Sequence, residues 1–164
     1  MGSVRIGKQK DDLKSEKFTT LQNSNFESKV LNSDKLTCIN IWATWCVPCV
    51  AEMPELNKVK SEFNDKNVQF ISLSIDTDSV KLKKFVESGK FSFEDITLKN
   101  VKYKDGILNF LDGKPLDKEN STQIVPLTYI VKKQRFMLMI SSCFPYPSVF
   151  LMKKVYLKIM NSLI

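Results

Sequence analysis

The segment Trp42-Ala43-Thr44-Trp45-Cys46-Val47-Pro48-Cys49 sets two thiols three positions apart, directly after an apolar, β-rich run. On the first turn of a helix, that spacing lets the sulfurs close a small disulfide ring with little movement of the backbone. The pair can then cycle between dithiol and disulfide. A helix N-terminus adds unpaired N–H groups and the positive end of the peptide dipole, and both stabilise a thiolate and lower the pKa of the first cysteine. On this reading Cys46 is the attacking nucleophile, exposed at the helix start, and Cys49 is the resolving thiol, one turn in and more buried. Attack on a substrate disulfide leaves a mixed disulfide on Cys46, which Cys49 then breaks. Two blander readings stand beside it: a metal site, and a cysteine pair that merely packs.

The rest of the composition narrows these choices. The chain has no His, which excludes Ser-His-Asp and Cys-His catalysis and any zinc site built on imidazole. A zinc site would have to recruit Cys38 and Cys143, and a c-type haem attachment would need His where Val50 stands. No metal or other cofactor is therefore expected. Cys38 falls inside the first core strand, where a free thiol acts as a small hydrophobe. Cys143 falls in a loop, and strand-interior burial of Cys38 opposes a disulfide between the two.

With 25 Lys plus Arg against 18 Asp plus Glu, the net charge is +7. The pairs Lys83-Lys84, Lys132-Lys133 and Lys153-Lys154 are scattered through apolar periodic segments, which reads as solvated faces. No element interleaves aromatic and basic residues, so no nucleic-acid partner is expected. The apolar stretch over 136–151 is broken by Ser141, Ser142, Pro145, Pro147 and Ser148 and does not read as a spanning helix. Met1-Gly2-Ser3 leads directly to Arg5, Lys8, Lys10, Asp11 and Asp12, without an apolar stretch of signal-peptide length.

The elements that must position the thiols follow from periodicity. The chain has 164 residues, 43% hydrophobic and 26% charged, the size and composition of one domain with a core of its own. Residues 1–17 read as a flexible lead-in and 18–164 as the domain. The run over 36–42 is a strand buried on both faces. Val50, Met53, Leu56, Val59 and Phe63 then mark one face of a helix reaching about Asn64, kinked at Pro54. A second buried strand covers 68–75, and Val80, Leu82, Phe85 and Val86 give a second helix closed near Gly89.

Beyond it, a strand over 96–101, a short helix over 106–111 and a turn over 112–115 are expected. Strands over 127–131 and 135–140 form a hairpin across Lys132-Lys133-Gln134, and a terminal helix covers 149–163. The class is α/β, a mixed sheet with helices on both faces. Cys46 stands where a strand hands over to a helix, the usual ligand position in open α/β sheets.

The stretch from Asn40 to Pro54, Asn-Ile-Trp-Ala-Thr-Trp-Cys-Val-Pro-Cys-Val-Ala-Glu-Met-Pro, resembles the active-site segment of the TlpA/ResA-type thioredoxin-like proteins. Asn40, where the wider superfamily often has a buried Asp, and Glu52-Met53-Pro54 carry the subfamily resemblance. It implies a thioredoxin fold, three-layer α/β/α with a central mixed sheet and a C-terminal β-hairpin plus helix. It also implies a redox-active Cys46–Cys49 pair with an acidic helper at Glu52. A partly desolvated Glu can take up and return the proton that Cys49 must lose. Its rival role is as a helix-dipole partner with no part in catalysis.

The superfamily places a cis-proline opposite the active site, a position matched by Pro126 in Ile124-Val125-Pro126-Leu127. The resemblance thus implies a substrate-binding surface of Trp45, Val125 and Pro126, with the Val125 main chain pairing with an extended segment. Lys132-Lys133-Gln134 departs from the Asp/Asn-Gly turn usual in that hairpin. A peroxiredoxin is opposed because Ile39 and Ala43 stand where its Pro and Ser/Thr should precede Cys46.

The function implied is reduction of disulfides in exported proteins or apocytochromes, with protein or peptide disulfide substrates and a thiol electron-donor protein as partners. The setting implied is the bacterial cell envelope, for a monomer whose signal peptide or membrane tether lies outside these residues. A cytoplasmic thioredoxin-like reductant and a non-catalytic binding module are the alternatives.

Overall fold

The computed structural model describes residues 4–5, 17–20, 25–27, 34–64, 66–89, 94–97, 126–132, 135–141 and 157–163. In chain order the elements are β1 (Val4–Arg5), β2 (Lys17–Thr20), β3 (Asn25–Glu27), β4 (Leu36–Trp42), α1 (Val47–Ser61), β5 (Val68–Ser74), α2 (Ser79–Glu87), β6 (Glu94–Thr97), β7 (Leu127–Lys132) and β8 (Arg135–Ser141). Residues 157–163 are helical and are called α3. The described strands form one mixed sheet in the order β1-β8-β7-β4-β5-β6-β2-β3. β4, β5 and β6 run parallel, and β7 lies antiparallel on the other side of β4. This is the α/β thioredoxin architecture that the sequence implies.

β4 sits between β5 and β7, and all seven of its residues are buried. A strand with neighbours on both sides and both faces covered needs such a nearly continuous apolar run. Its polar Asn40 is paired, donating from Nδ2 to Thr128 Oγ1 at 3.2 Å across the β4–β7 register. Trp42, at the end of β4, stacks on Phe85 of α2 with ring centroids 5.3 Å apart. Its indole N–H donates to Ser72 Oγ on β5.

The buried face of α1 is Cys49, Glu52, Met53, Leu56 and Val59, with Val50 half-buried beside it. Glu52 therefore takes a core-facing position that hydrophobicity alone would not assign. Pro54 lies inside the helix on its exposed side, and the helix runs on to Ser61. α2 is capped by Asp78, whose carboxylate accepts from the N–H groups of Val80 (3.0 Å) and Lys81 (3.1 Å). It closes at Gly89, where φ is +75°, the left-handed conformation that glycine adopts without strain.

Val80 corrects the expected apolar face of α2, because it is 61% exposed. Leu82, Phe85 and Val86 fall three and four residues apart and face the core. Val80 precedes Leu82 by two positions, about 200° around the helix, and so points away. β6 starts two residues before the strand expected over 96–101 and overlaps it at Ile96 and Thr97; residues 98–101 lie outside the described residues. The helix and turn expected over 106–115 lie outside the described residues.

The hairpin forms as β7 and β8, with a register irregularity between Ile130 and Val131. In α3, Met160 is fully buried, and Leu157, Ile159 and Leu163 pack on the same core. Within the segment expected as a lead-in, Val4 and Arg5 pair with Ile140 and Met139 at the edge of the sheet.

Candidate active site

The parallel pairing of β4 and β5 brings their C-terminal ends side by side, with Trp42 opposite Ser74. β4 then leads through a tight turn into α1. Cys46 N–H donates to Ala43 O at 3.1 Å, closing the turn, and Val50 N–H donates to Cys46 O at 3.1 Å, starting the helix. Cys46 is the N-cap, with extended backbone at φ −86° and ψ 94°. Pro48, in the first turn, has no N–H to leave unsatisfied.

The two thiols are joined: the Sγ atoms of Cys46 and Cys49 are 2.01 Å apart and their Cα atoms 5.2 Å. Cys46 Sγ also accepts from the Cys49 N–H at 3.3 Å. An orphan amide of the helix start thus points at the sulfur that would carry negative charge once reduced.

Cys49 is buried, as expected, but Cys46 is only 5% exposed, which corrects the expectation of an exposed nucleophile. In the disulfide its sulfur is turned inward onto Cys49 and the Cys49 amide. The exposed surface belongs to its neighbours instead, Trp45 at 64% and Val47 at 73%. Pro126 is buried one residue beyond the Leu127–Ile41 pair, which brings it to the same end of the sheet as the disulfide. Val125 lies outside the described residues, and with it the Val125–Pro126 peptide bond.

Glu52 lies one turn after Cys49 on the buried face of α1. Cys38 is fully buried and unbonded. Burial pushes its thiol up to about 12, and the charge of Glu52 adds to the effect. Cys38 therefore stays a protonated, inert thiol at neutral pH, and it shares with Glu52 the compartment beneath α1. Cys143 lies outside the described residues. Among the described residues, no three Cys, Asp or Glu side chains are grouped to hold a metal ion. None of the described helices is long and apolar enough to cross a membrane.

One participant escaped the sequence reading. Asp76, two residues past the end of β5, is 5% exposed and accepts from Thr44 N–H at 2.8 Å and Thr44 Oγ1 at 2.7 Å. Ser74 Oγ donates to the same carboxylate at 2.7 Å. The only hint in the sequence is an acidic residue two positions past an apolar strand that ends beside the CxxC strand; once buried, such a carboxylate must find donors.

The Redoxin family matches this chain over residues 8–110. The chain is 34% identical over 109 residues to the thiol-disulfide oxidoreductase ResA of Bacillus cereus, covering 61% of this chain and 62% of that protein. It is 32% identical over 87 residues to ResA of Oceanobacillus iheyensis, covering 53% of this chain and 42% of that one. The chain thus spans roughly half the length of these relatives.

Among solved structures, a secreted Mycobacterium tuberculosis disulfide oxidoreductase homologous to E. coli DsbE superposes with a TM-score of 0.65 at 17% identity, covering 88% of this chain and 96% of that one. StoA from Bacillus subtilis gives 0.60 at 12% identity, covering 87% and 96%. These two structures bear on the fold. The Redoxin match spans more than half of the chain and takes in the segment from Thr44 to Glu52 together with Asp76, so the chain belongs to the Redoxin family.

Proposed function

We propose that the chain is a thiol-disulfide oxidoreductase that reduces disulfides of exported proteins or apocytochromes in the bacterial cell envelope. The observation that carries this reading is the Cys46–Cys49 disulfide at the N-cap of α1, with the Cys49 amide aimed at Cys46 Sγ. In the reduced protein the Cys46 thiolate attacks one sulfur of a substrate disulfide; a mixed disulfide forms, and the departing substrate thiolate takes up a proton. Cys49 then loses its proton and attacks Cys46 Sγ, releasing the second substrate thiol. The substrate gains two electrons and this chain loses two, which a donor dithiol protein restores. The envelope setting and the exported substrates rest on the likeness of this chain to the ResA proteins. Trp45 and Val47, which flank Cys46 and are exposed, supply a surface for an extended substrate segment, and Pro126 lies buried at the same sheet end.

Both tryptophans of the chain, Trp42 and Trp45, lie within four residues of Cys46, so their fluorescence reports the state of the pair. Equilibration against glutathione or dithiothreitol buffers should give one reversible two-electron transition. Its midpoint should fall toward the reducing end of the range from about −270 to −120 mV spanned by disulfide oxidoreductases. A midpoint near −120 mV would recast the protein as an oxidant. No reversible transition at all would leave a scaffold as the better reading.

Glu52 is the group placed to accept the proton of Cys49, being buried one turn further along the same helix face. Glu52→Gln keeps the shape and removes the base. It is expected to slow resolution of the mixed disulfide on the order of 10²-fold, the low end for general acid–base catalysis, while leaving the first attack by Cys46 nearly unchanged. Acid-quenched samples separated by mass would show the mixed disulfide accumulating. Unchanged resolution would reduce Glu52 to a partner of the helix dipole.

A further inference from the structure

We propose that Asp76 is a positioning residue for Cys46, acting through Thr44; the inference rests on the reading of Cys46 as nucleophile. The parallel ladder of β4 and β5 ends at Trp42 and Ser74 and is extended one step by Ile75 N–H donating to Trp42 O at 2.9 Å. The Asp76 carboxylate stands just past that point. It takes Thr44 N–H on Oδ2 (2.8 Å) and Thr44 Oγ1 on Oδ1 (2.7 Å). Ser74 Oγ donates to Oδ2 at 2.7 Å and in turn accepts the Asp76 N–H at 3.0 Å, which fixes the carboxylate in place. Hydrogen bonds to a carboxylate are about twice as strong as neutral ones.

Thr44 is two residues ahead of Cys46, in the turn that delivers the chain to α1. That turn is held at one point by the bond from Cys46 N–H to Ala43 O and at the other by the pair of bonds to Asp76. Cys46 keeps its sulfur over the Cys49 amide only while its backbone holds the extended cap conformation. If the Asp76 anchor is removed, the turn can swing and the thiolate loses its donor and its place at the helix start. The same carboxylate carries a negative charge, which by itself opposes a thiolate nearby. Geometry and charge thus push Cys46 in opposite directions, which makes them separable.

Asp76→Asn and Asp76→Leu remove the same charge. Asn keeps an acceptor oxygen for Thr44 N–H and Ser74 Oγ, and its NH2 group meets the Thr44 hydroxyl, which can rotate to accept. Leu keeps neither. Among the described residues, the other ionisable groups at this end, Cys49 and Glu52 on α1 and Asp78 at the start of α2, stay the same in all variants. Alkylation of the reduced protein by iodoacetamide is followed from pH 4 to 10 on the Cys46-containing peptide by mass spectrometry. Asp76→Leu should react about tenfold more slowly at pH 7, its profile moved up by about one pH unit, and Asp76→Asn should stay within about twofold of the unsubstituted protein.

Thr44→Val deletes a single bond at a half-buried site, so it tests the anchor even if Asp76→Leu does not fold. It should be slowed about threefold, and Thr44→Ser should restore the rate. Equal profiles for Asp76→Asn and Asp76→Leu would overturn the inference in favour of charge, and a Thr44→Val profile matching the unsubstituted protein would overturn it outright. If Cys46 of the unsubstituted protein titrated as an ordinary thiol near 8.5, the nucleophile reading beneath the inference would fail instead.

Discussion

Cys46→Ser is expected to bring insulin reduction, coupled to dithiothreitol, down to the uncatalysed background. Cys49→Ser is expected to stop the same reaction as a stable mixed disulfide on Cys46. The two substitutions are nearly isosteric and fall in the same turn, so packing alone would give them similar consequences. Chemistry separates them. Serine at 46 has no ionised nucleophile at neutral pH, so the first covalent bond is never made; losses of 10³-fold or more, on the order of those from deleting an essential nucleophile, follow. Serine at 49 leaves Cys46 able to attack but removes the sulfur that must break the intermediate. Non-reducing gels and intact mass would show Cys49→Ser carrying one substrate chain and Cys46→Ser carrying none. A Cys46→Ser protein that still reduced insulin would end the assignment of the nucleophile. Cys38 cannot stand in for it, because that thiol is fully buried and pushed up to about 12.

The parts of this site that the sequence makes legible are those with strong local signals. β4 is seven apolar-leaning residues with every position buried, a short β-rich run of strand length that ends just ahead of the CxxC turn. The face of α1 shows in the spacing of Met53, Leu56 and Val59, and the end of α2 shows in Gly89. What escapes is set by tertiary neighbours. Thr44 and Asp76 are 32 positions apart and meet because β4 and β5 run parallel and end together. Nothing local to Asp76 states that it will be buried.

Cys46 is a related case: its position at the helix start is a local property, whereas its burial comes from its place in the core cluster, which local sequence does not state. Val80 shows the limit of counting apolar residues without angle, since it lies near the right segment but on the wrong side of the helix.

Trp42→Ala is expected to be the most destabilising single change outside the cysteines. The side chain is 1% exposed, stacks on Phe85 at 5.3 Å and donates its indole N–H to Ser72 Oγ. Truncating a buried Trp costs about 3–5 kcal/mol in transfer and cavity terms. Leaving Ser72 Oγ, itself fully buried, without its donor adds on the order of 1 kcal/mol. Against a total stability of about 5–15 kcal/mol for a domain, that is about a quarter or more, and it corresponds to a fall in Tm on the order of 10 °C or more for a chain of this length.

Trp42→Phe separates the contributions: it keeps an aromatic ring against Phe85 and loses the N–H, so about 1–2 kcal/mol is expected. Urea unfolding of the disulfide form would give both values. A loss below about 1 kcal/mol for Trp42→Ala would mean that the β4–α2 packing does not hold as described. Trp42 is also the last residue of β4, and its carbonyl receives the Ile75 N–H immediately before the Thr44–Asp76 anchor. Loosening it frees the strand end from which the Cys46 turn departs. Folded Trp42→Ala should therefore also lose Cys46 alkylation rate at pH 7, whereas a core truncation at the far end of β4, Leu36→Ala, should lose stability alone.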